Sequence, residues 1–268
     1  MRHDNRRSII TITTDFGNTD HYVGAMKGVI LSINPGAIIV DITHEVEHYN
    51  IFQAAFVIRN IVDYFPENTV HLVVVDPGVG SNRRPIAVEA YGSIFVGPDN
   101  GIFSFVYSES EEYRVFEIEN ADYMHKSVSN TFHGRDIFAP AAAKLSITNA
   151  IDEIGREVID PVTCGLDKPI VSDRKIFGSI LYVDSFGNLV TNISSDLVSG
   201  IPTIRIGERT IYGVSQSYSE SKKGEILAIK GSSGFIEISV NQGRASDYFE
   251  IKNLKIEILI GEKSKLPK

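Results

Sequence analysis

A carboxylate and an arginine that a sharp turn can bring together stand in the first half of the chain. Asp76 opens the segment 76–80, Asp-Pro-Gly-Val-Gly, and Arg83 and Arg84 follow it. Proline and two glycines fold the backbone sharply, so one of these arginines can return towards Asp76. A carboxylate and a guanidinium that face a cavity can orient a water molecule. The same pair can instead be a turn-stabilising ion pair, which is the commoner role.

Two further polar residues stand next to predicted strand or helix ends. Asp15 directly follows the first predicted strand, and open parallel sheets bind ligands at the carboxyl ends of their strands. A carboxylate there can accept hydrogen bonds from both hydroxyls of a ribose, or it can cap the helix that follows. His133 precedes the last predicted helix of the first half. A lone histidine is more often structural, but its side chain exchanges protons most readily near neutral pH.

The second half of the chain carries a polar segment that suits a planar ligand. Residues 184–188 read Asp-Ser-Phe-Gly-Asn and follow a predicted strand. Their carboxylate, aromatic and amide groups suit a planar heterocycle and a charged amine. Asp, Ser, Gly and Asn are also the usual residues of a hairpin turn. Segments 232–234 and 241–243 have the same two interpretations.

One segment matches a metal-binding motif in the wrong context. Residues 44–48 read His-Glu-Val-Glu-His, but the H-E-x-x-H zinc motif works only on a helix, where both histidines share one face. Here the segment follows a predicted strand and precedes Asn50, a predicted helix cap. We interpret it as a polar loop and predict no metal site. A complete dinucleotide fingerprint and a P-loop are also absent from the sequence.

Strand-like and helix-like segments alternate through the first 150 residues. The predicted strands are 8–13, 37–42, 70–75, 86–90 and 93–96, and the predicted helices are 21–33, 50–65, 101–107 and 136–147. Asp20 and Asn50 are the predicted caps of the first two helices. This alternation predicts an α/β fold, with a mostly parallel sheet flanked by helices.

The pattern changes after residue 160. Residues 161–172 contain two prolines and a glycine and predict a linker. Beyond them the sequence shows only short predicted strands: 176–183, 189–193, 203–206, 210–214, 225–229, 235–240 and 255–259. We therefore predict an N-terminal α/β domain at 1–160 and a small C-terminal all-β barrel domain at 173–268.

Composition excludes several classes of protein. The 268 residues carry a net charge of −8, which argues against a nucleic-acid binder. Cys164 is the single cysteine, so no intrachain disulfide can form and a reducing compartment is expected. No apolar run approaches the roughly 18 residues of a membrane helix, and no signal peptide is recognisable. We predict a cytoplasmic protein without membrane contact.

These segments together resemble one family, the S-adenosyl-L-methionine hydroxide adenosyltransferases, which are related to halogenating enzymes that cleave the same substrate. The resemblance runs from residue 14 to about residue 243 and is carried by the segments 14–17, 41–44, 75–80, 83–84, 98–101, 132–136 and 186–188. It implies an α/β N-terminal domain, a β-barrel C-terminal domain and a homotrimer. The nucleoside site would lie between the N-terminal domain of one subunit and the C-terminal domain of its neighbour.

Nine residues match substrate-binding positions of the family. They are Asp15 at the ribose diol, Tyr49 and Phe132 beside the ribose and base, Phe186 and Asn188 at the adenine, Asn241 and Gln242 at the adenine edge, and Asp184 and Ser232 at the amino and carboxylate ends of the methionine. At Ser233 the chain departs from the fluorinating relatives, which have an arginine there.

Asp76, Arg83 and His133 match the family's water-activating triad, and the halogenating relatives have tyrosine at the position of Asp76. A sulfonium is already a good leaving group, so the reaction needs a positioned oxygen nucleophile and no acid at sulfur. Arg83 stays protonated, so either His133 or Asp76 takes the proton of water. A carboxylate at Asp76 would also repel a halide ion.

The resemblance predicts a hydrolase that converts S-adenosyl-L-methionine and water into adenosine and L-methionine, without a metal or redox cofactor. Two alternatives remain: a halide adenosyltransferase, and a regulator that binds adenosine or S-adenosylmethionine without turnover.

Overall fold

A computed structural model describes residues 8–165, 167–251 and 254–260. The chain divides into two compact units at the boundary between Gly165 and Leu166. The ends of the predicted domains, 1–7 and 261–268, lie outside the described residues. Within the described ranges, no helix is long and apolar enough to cross a membrane.

The first unit is built on a six-stranded sheet. Its strands are β1 Ile9–Thr14, β2 Ile38–Thr43, β3 Val70–Val74, β4 Pro85–Ala90, β5 Ser93–Pro98 and β6 Tyr113–Glu117. They pair in the order β2-β1-β3-β5-β4-β6. The first four strands of this order are parallel, and β4 runs antiparallel to both of its neighbours. The prediction of a mostly parallel sheet is confirmed.

Helices cover both faces of this sheet. They are α1 Tyr22–Ile33, α2 Ile51–Arg59, α3 Ser104–Glu109 and α4 Ala139–Thr148. Successive side chains of a strand point to opposite faces. Accordingly, Leu72 and Val74 of β3 share a core with α1 and α4, whereas Val73 shares a core with α2 and α3. All five residues of β3 are buried, as expected of a central parallel strand.

Several predicted helix boundaries are wrong. The helix predicted over 50–65 ends at Arg59, where the side-chain amide of Asn60 donates to the Phe56 carbonyl, and a 3₁₀ turn follows at Val62–Tyr64. Asn50 does cap this helix by accepting from the backbone N–H of Gln53. Asp20 is not a cap, because α1 starts after His21 without a side-chain capping bond.

The helix predicted from residue 136 also begins differently. A π-helical turn, Gly134–Phe138, precedes α4. Such turns are rare and occur frequently at functional sites. This one starts directly after His133.

The second unit is an antiparallel sheet that nearly closes into a barrel. Its strands are β7 Ile170–Ser172, β8 Lys175–Val183, β9 Leu189–Ser194, β10 Thr203–Ile206, β11 Arg209–Tyr212, β12 Ile226–Lys230, β13 Phe235–Val240 and β14 Lys255–Leu259. Seven of them pair in the order β11-β10-β14-β8-β9-β13-β12. A bridge between Ser215 and Ile229 joins the segment after β11 to β12. The predicted small β-barrel is confirmed.

The predicted linker 161–172 is partly structured. Its last three residues form β7, which pairs antiparallel with β8 and so belongs to the second unit. The proline and glycine content of the segment hid this short strand from a composition argument.

Candidate functional site

The loop after β3 brings Asp76 and Arg83 together. Ser81 Oγ and its backbone N–H both donate to the Gly78 carbonyl and tighten the turn. Arg83 Nε then lies 2.9 and 3.0 Å from the two carboxylate oxygens of Asp76, and Arg83 Nη2 donates to Oδ2. The predicted return of an arginine is confirmed. Arg84 instead pairs with Asp99 and Asp160.

His133 joins this pair from a distant part of the chain. Its Nδ1 lies 2.7 Å from Arg83 Nη2. Arginine has no acceptor atom, so the guanidinium donates and Nδ1 accepts. Burial, together with the charge of Arg83, lowers the pKa of His133 below its usual value, against a smaller opposite effect of Asp76. The imidazole is therefore neutral at pH 7, with its proton on Nε2.

Arg83 is held in a largely dry environment. The side chains of Arg83 and Asp76 are only 8% and 5% exposed. The ring of Phe138 lies 5.0 Å from the guanidinium carbon. Arg83 Nη1 is buried and has no hydrogen-bond partner among the described residues. The two N–H donors of Nη1 thus have no acceptor among the described residues, which is costly for a buried cation.

Asp15 lies at the same edge of the sheet. It follows Thr14, which pairs with Val74 in the parallel ladder between β1 and β3. The Asp15 carboxylate is buried and accepts a hydrogen bond of 2.9 Å from the backbone N–H of Tyr49. The structure thus places Asp15 and Asp76 after adjacent strands, as the strand-end argument predicts. The ribose-binding role of Asp15 stays a prediction.

The two aromatic residues predicted to flank the nucleoside have different environments. Tyr49 has a positive φ of 67°, and its side chain is 70% exposed. Phe132 is buried and packs edge-on against Phe16 and Tyr22, at centroid distances of 6.0 and 5.1 Å. The sequence did not identify Phe16 and Tyr22 as candidate site residues, because aromatic residues near the start of a helix usually pack in the core.

The His-Glu-Val-Glu-His segment is a loop, as predicted, because it follows β2 and precedes α2. His44 is buried; its Nδ1 bonds Thr14 Oγ1 at 2.9 Å, and its Nε2 lies 3.2 Å from Asp41. His44 thereby supports the end of β1 next to Asp15. In the parts of the chain that the structure describes, no group of three His, Cys, Asp or Glu residues could hold a metal ion.

The second unit contains an open cavity of about 580 Å³. Four of its lining residues were predicted to contact adenine: Phe186, Asn188, Asn241 and Gln242. Phe186 is 75% exposed, so the face of its ring is free to stack on a planar group. Tyr218 and Arg244 also line the cavity. The sequence did not identify them because nothing in their local pattern distinguishes them from loop residues.

Asp184 and Ser232 are placed apart from the lining of this cavity. Both carboxylate oxygens of Asp184 accept from Asn188, one from the backbone N–H and one from the side-chain amide, each at 2.8 Å. This is the hairpin turn between β8 and β9, so the turn interpretation of 184–188 is confirmed, and its ligand-binding interpretation stays a prediction. Ser232 is exposed in the turn between β12 and β13. Their contacts with a methionine group stay predictions.

Comparison with known proteins identifies the family to which this sequence is similar. The sequence pattern described as the SAM hydroxide adenosyltransferase N-terminal domain matches residues 10–155, and the pattern described as its C-terminal domain matches residues 178–255. The two patterns together cover most of the chain.

Individual proteins give the same result. A protein from Methanocaldococcus jannaschii named (R)-S-adenosyl-L-methionine hydrolase is 38% identical over 96% of this chain and 97% of its own. A protein from Actinoplanes sp. named fluorinase is 30% identical over 70% of this chain and 72% of its own. The crystal structure of an uncharacterized conserved protein from Thermotoga maritima is 39% identical, with a TM-score of 0.87, and covers 94% of this chain and 99% of that one.

Proposed function

The chain belongs to the S-adenosyl-L-methionine hydroxide adenosyltransferase family, and we propose that it hydrolyses S-adenosyl-L-methionine at C5′ to adenosine and L-methionine. The observation that carries this proposal is the buried Arg83, which hydrogen-bonds both Asp76 and His133 and keeps Nη1 for a further acceptor. A protein that only bound the nucleoside would have no use for such a group.

In the proposed step, the oxygen of a water molecule bonds to C5′ while the C5′–S bond breaks. The electron pair of that bond passes to the sulfonium sulfur, which leaves as the neutral thioether of methionine. Arg83 Nη1 donates to the water oxygen and favours its hydroxide character. The enclosed position of the guanidinium strengthens this interaction and aligns the oxygen for attack, which can contribute about 7–11 kcal/mol.

The hydrogen bonds favour Asp76 as the group that takes the proton. His133 is neutral, its Nδ1 lone pair accepts from Arg83, and its Nε2 already carries a proton. It therefore has no nitrogen left to accept a proton from water. A carboxylate oxygen accepts more than one hydrogen bond, so Asp76 can accept from water while it accepts from Arg83.

We assign the cavity of the second unit to adenine, through Phe186, Asn188, Asn241 and Gln242, and Asp15 of the first unit to the ribose diol. Tyr49 and Phe132 would flank the ribose, and Asp184 and Ser232 would hold the methionine end. The reaction as written needs no metal or redox cofactor, because a sulfonium leaves without acid or electrophilic assistance. The single free Cys164 is consistent with a cytoplasmic location.

We further propose a homotrimer in which each site combines the first unit of one subunit with the second unit of its neighbour. Co-expression of an Asp76→Asn subunit with an Asn188→Ala subunit tests this directly. Each variant alone should have strongly reduced activity, and mixed assemblies should recover activity because some sites then contain two intact halves. Light scattering gives the subunit number. Mixed assemblies that stay inactive would mean that one subunit supplies the whole site.

The reaction itself is tested by product analysis in ¹⁸O-labelled water, with and without chloride. Both sulfonium epimers should be supplied, because the curated relative is named for the (R) form. Adenosine labelled at its 5′ oxygen, independent of chloride, supports hydrolysis. A 5′-halo product would identify a halide adenosyltransferase, and tight nucleoside binding without any product would identify a regulator.

A further inference from the structure

The loop that carries His133 is closed by a buried carboxylate on its far side. Asp136 lies in the π-helical turn and is fully buried. Its Oδ2 accepts from the backbone N–H of Ser129 at 2.8 Å and from Ser129 Oγ at 2.6 Å. Arg135 Nε donates to Oδ1 at 2.6 Å. Asp136 thus closes the segment 129–136 on itself.

Ser129 connects Asp136 to the backbone directly before His133. Its Oγ accepts from the backbone N–H of Phe132 at 3.2 Å. The Ser129 backbone carbonyl also acts on the His133 ring as an acceptor and raises its pKa, against the larger effects that lower it. The imidazole therefore has contacts on two sides: Ser129 from its own loop and Arg83 from the loop after β3.

These two loops touch at a point where only glycine fits. Gly80 has a φ of 76°, and a Cβ built on it would lie 2.3 Å from the carbonyl oxygen of Asn130. The loop that carries Arg83 therefore rests directly on the backbone next to Ser129. A shift of the segment 129–132 would change the distance between Arg83 and His133, and hydrogen bonds weaken steeply when their geometry is lost.

We propose that Asp136 is a positioning residue for the group formed by Asp76, Arg83 and His133. Through Ser129 it fixes the place and the tautomer of the His133 ring, and so the direction in which Arg83 presents Nη1. The expected effect on turnover rests on the proposed function, whereas the expected effect on the His133 ring does not. Burial raises the pKa of Asp136, but hydrogen bonds from Arg135 and Ser129 outweigh it and lower that pKa to about 2, so the carboxylate is charged at neutral pH.

A purely structural role would give different results. An anchor that only stabilises the fold would, when weakened, lower the melting temperature and leave kcat, KM and the His133 ring unchanged. A positioning residue lowers kcat, leaves adenosine affinity unchanged and alters the His133 tautomer. Turnover and spectroscopy therefore have to be measured on the same folded variants.

The experiment compares Asp136→Asn and Ser129→Ala with Ser127→Ala, an exposed serine of the same loop. Ser129→Ala keeps the backbone bond to Asp136 and is the milder change. Each protein is labelled with ¹⁵N-histidine, and NMR records the chemical shifts of the two ring nitrogens of His133. The His133 signals are assigned as those missing from the spectrum of His133→Gln. The same samples give kcat and KM for S-adenosylmethionine and the Kd of adenosine by calorimetry.

In the wild-type protein and in Ser127→Ala we expect an unprotonated Nδ1 and a protonated Nε2. Asp136→Asn and Ser129→Ala should show a mixture of tautomers, a kcat lower by about 10- to 100-fold, as for residues that orient metal ligands, and an unchanged Kd. An unaltered His133 tautomer in both variants would overturn the proposal. If the wild-type protein had no hydrolytic activity, the proposed function would fail, while the NMR comparison would still decide the role of Asp136.

Discussion

Oδ2 of Asp15 accepts a hydrogen bond of 2.9 Å from the backbone N–H of Tyr49, and this bond ties the end of β1 to the loop after β2. The donor is a backbone group whose residue adopts a positive φ of 67°. The direction of the carboxylate is therefore set by the course of the chain and does not depend on the Tyr49 side chain.

Asp15→Asn should mainly weaken nucleoside binding. Hydrogen bonds to a charged group contribute about 1.5–3 kcal/mol, so we expect the Kd of adenosine to rise about 10- to 100-fold, with a smaller change in kcat at saturation. Calorimetry with adenosine measures this effect. Asp63→Asn, an exposed carboxylate of the same unit, is the control. An unchanged Kd for Asp15→Asn would remove Asp15 from the ribose site.

Asp76→Asn should act on the chemical step. Loss of the proton acceptor and of the charge next to Arg83 should lower kcat by at least about 10²-fold, with little change in adenosine Kd. Removal of one partner of a buried ion pair is also destabilising, so a melting curve must accompany the kinetics. The control is Asp122→Asn, which changes a carboxylate that is exposed on the surface. A folded Asp76→Asn protein with normal kcat would contradict the mechanism.

The pH dependence should report His133. Its lowered native pKa means that the ring stays neutral until the pH falls below 6.5. Protonation then fills Nδ1 and places a second positive charge beside Arg83. We therefore expect kcat/KM to be constant from pH 8 to about 6.5 and to fall at lower pH. NMR titration of the His133 ring gives the pKa independently. A midpoint above 6.5 would contradict this account.

How far the sequence predicts this site depends on how local each contact is. Asp76 and Arg83 are seven residues apart, and the turn residues between them predicted that an arginine returns to Asp76. The turn alone did not distinguish Arg83 from Arg84, because that choice depends on where β4 starts and which way each side chain then points; the family resemblance supplied Arg83. His133 is 50 residues from Arg83, and their contact depends on how the segment before α4 packs.

The fold shows the same division. Apolar runs and β-branched residues predicted most of the strands, because buried strands are rich in such residues, but β6 Tyr113–Glu117 and β7 Ile170–Ser172 were not predicted. The end of α2 at Arg59 and the π-helical turn before α4 were not predicted. Both are local changes of the backbone path that leave the apolar pattern unchanged.

A second histidine should govern acid stability. His71 is fully buried on β3, stacks on Phe95 and hydrogen-bonds Thr11, and burial lowers its pKa to about 4. The unfolded chain takes up this proton near pH 6.5, so the stability contributed by neutral His71 is lost as the pH falls from about 6.5 to about 4. At about 1.4 kcal/mol per pKa unit, the loss approaches about 3 kcal/mol.

Urea denaturation at pH 7 and pH 4.5 measures this loss. The double variant Thr11→Val, His71→Phe removes both hydrogen-bonding partners together and leaves neither group unpaired. Its free energy of unfolding should depend less on pH than that of the wild-type protein. Identical pH dependence in both proteins would assign acid sensitivity to other groups.

Gly80→Ala should separate backbone strain from loop displacement. Gly80 and Gly224 both have a left-handed backbone, with φ of 76° and 82°, but only a Cβ at Gly80 meets another residue. Both alanine variants should lose about 1–3 kcal/mol of stability. Only Gly80→Ala should also lower kcat, because it pushes the loop of Arg83 away from Asn130. Equal kcat in the two variants would show that this contact does not affect turnover.

The pairing of β1 with β3 has a consequence for reaction selectivity. Because Thr14 pairs with Val74, Asp15 and Asp76 follow neighbouring strands of one ladder, and such strands lie about 4.8 Å apart. In the proposed reaction, the carboxylate that holds the ribose diol and the carboxylate that takes the proton of water thus follow strands separated by the spacing of the backbone itself. Within that proposed reaction, this backbone spacing favours attack at C5′ over attack at the other two carbons bonded to the same sulfur, the S-methyl and the methionine methylene.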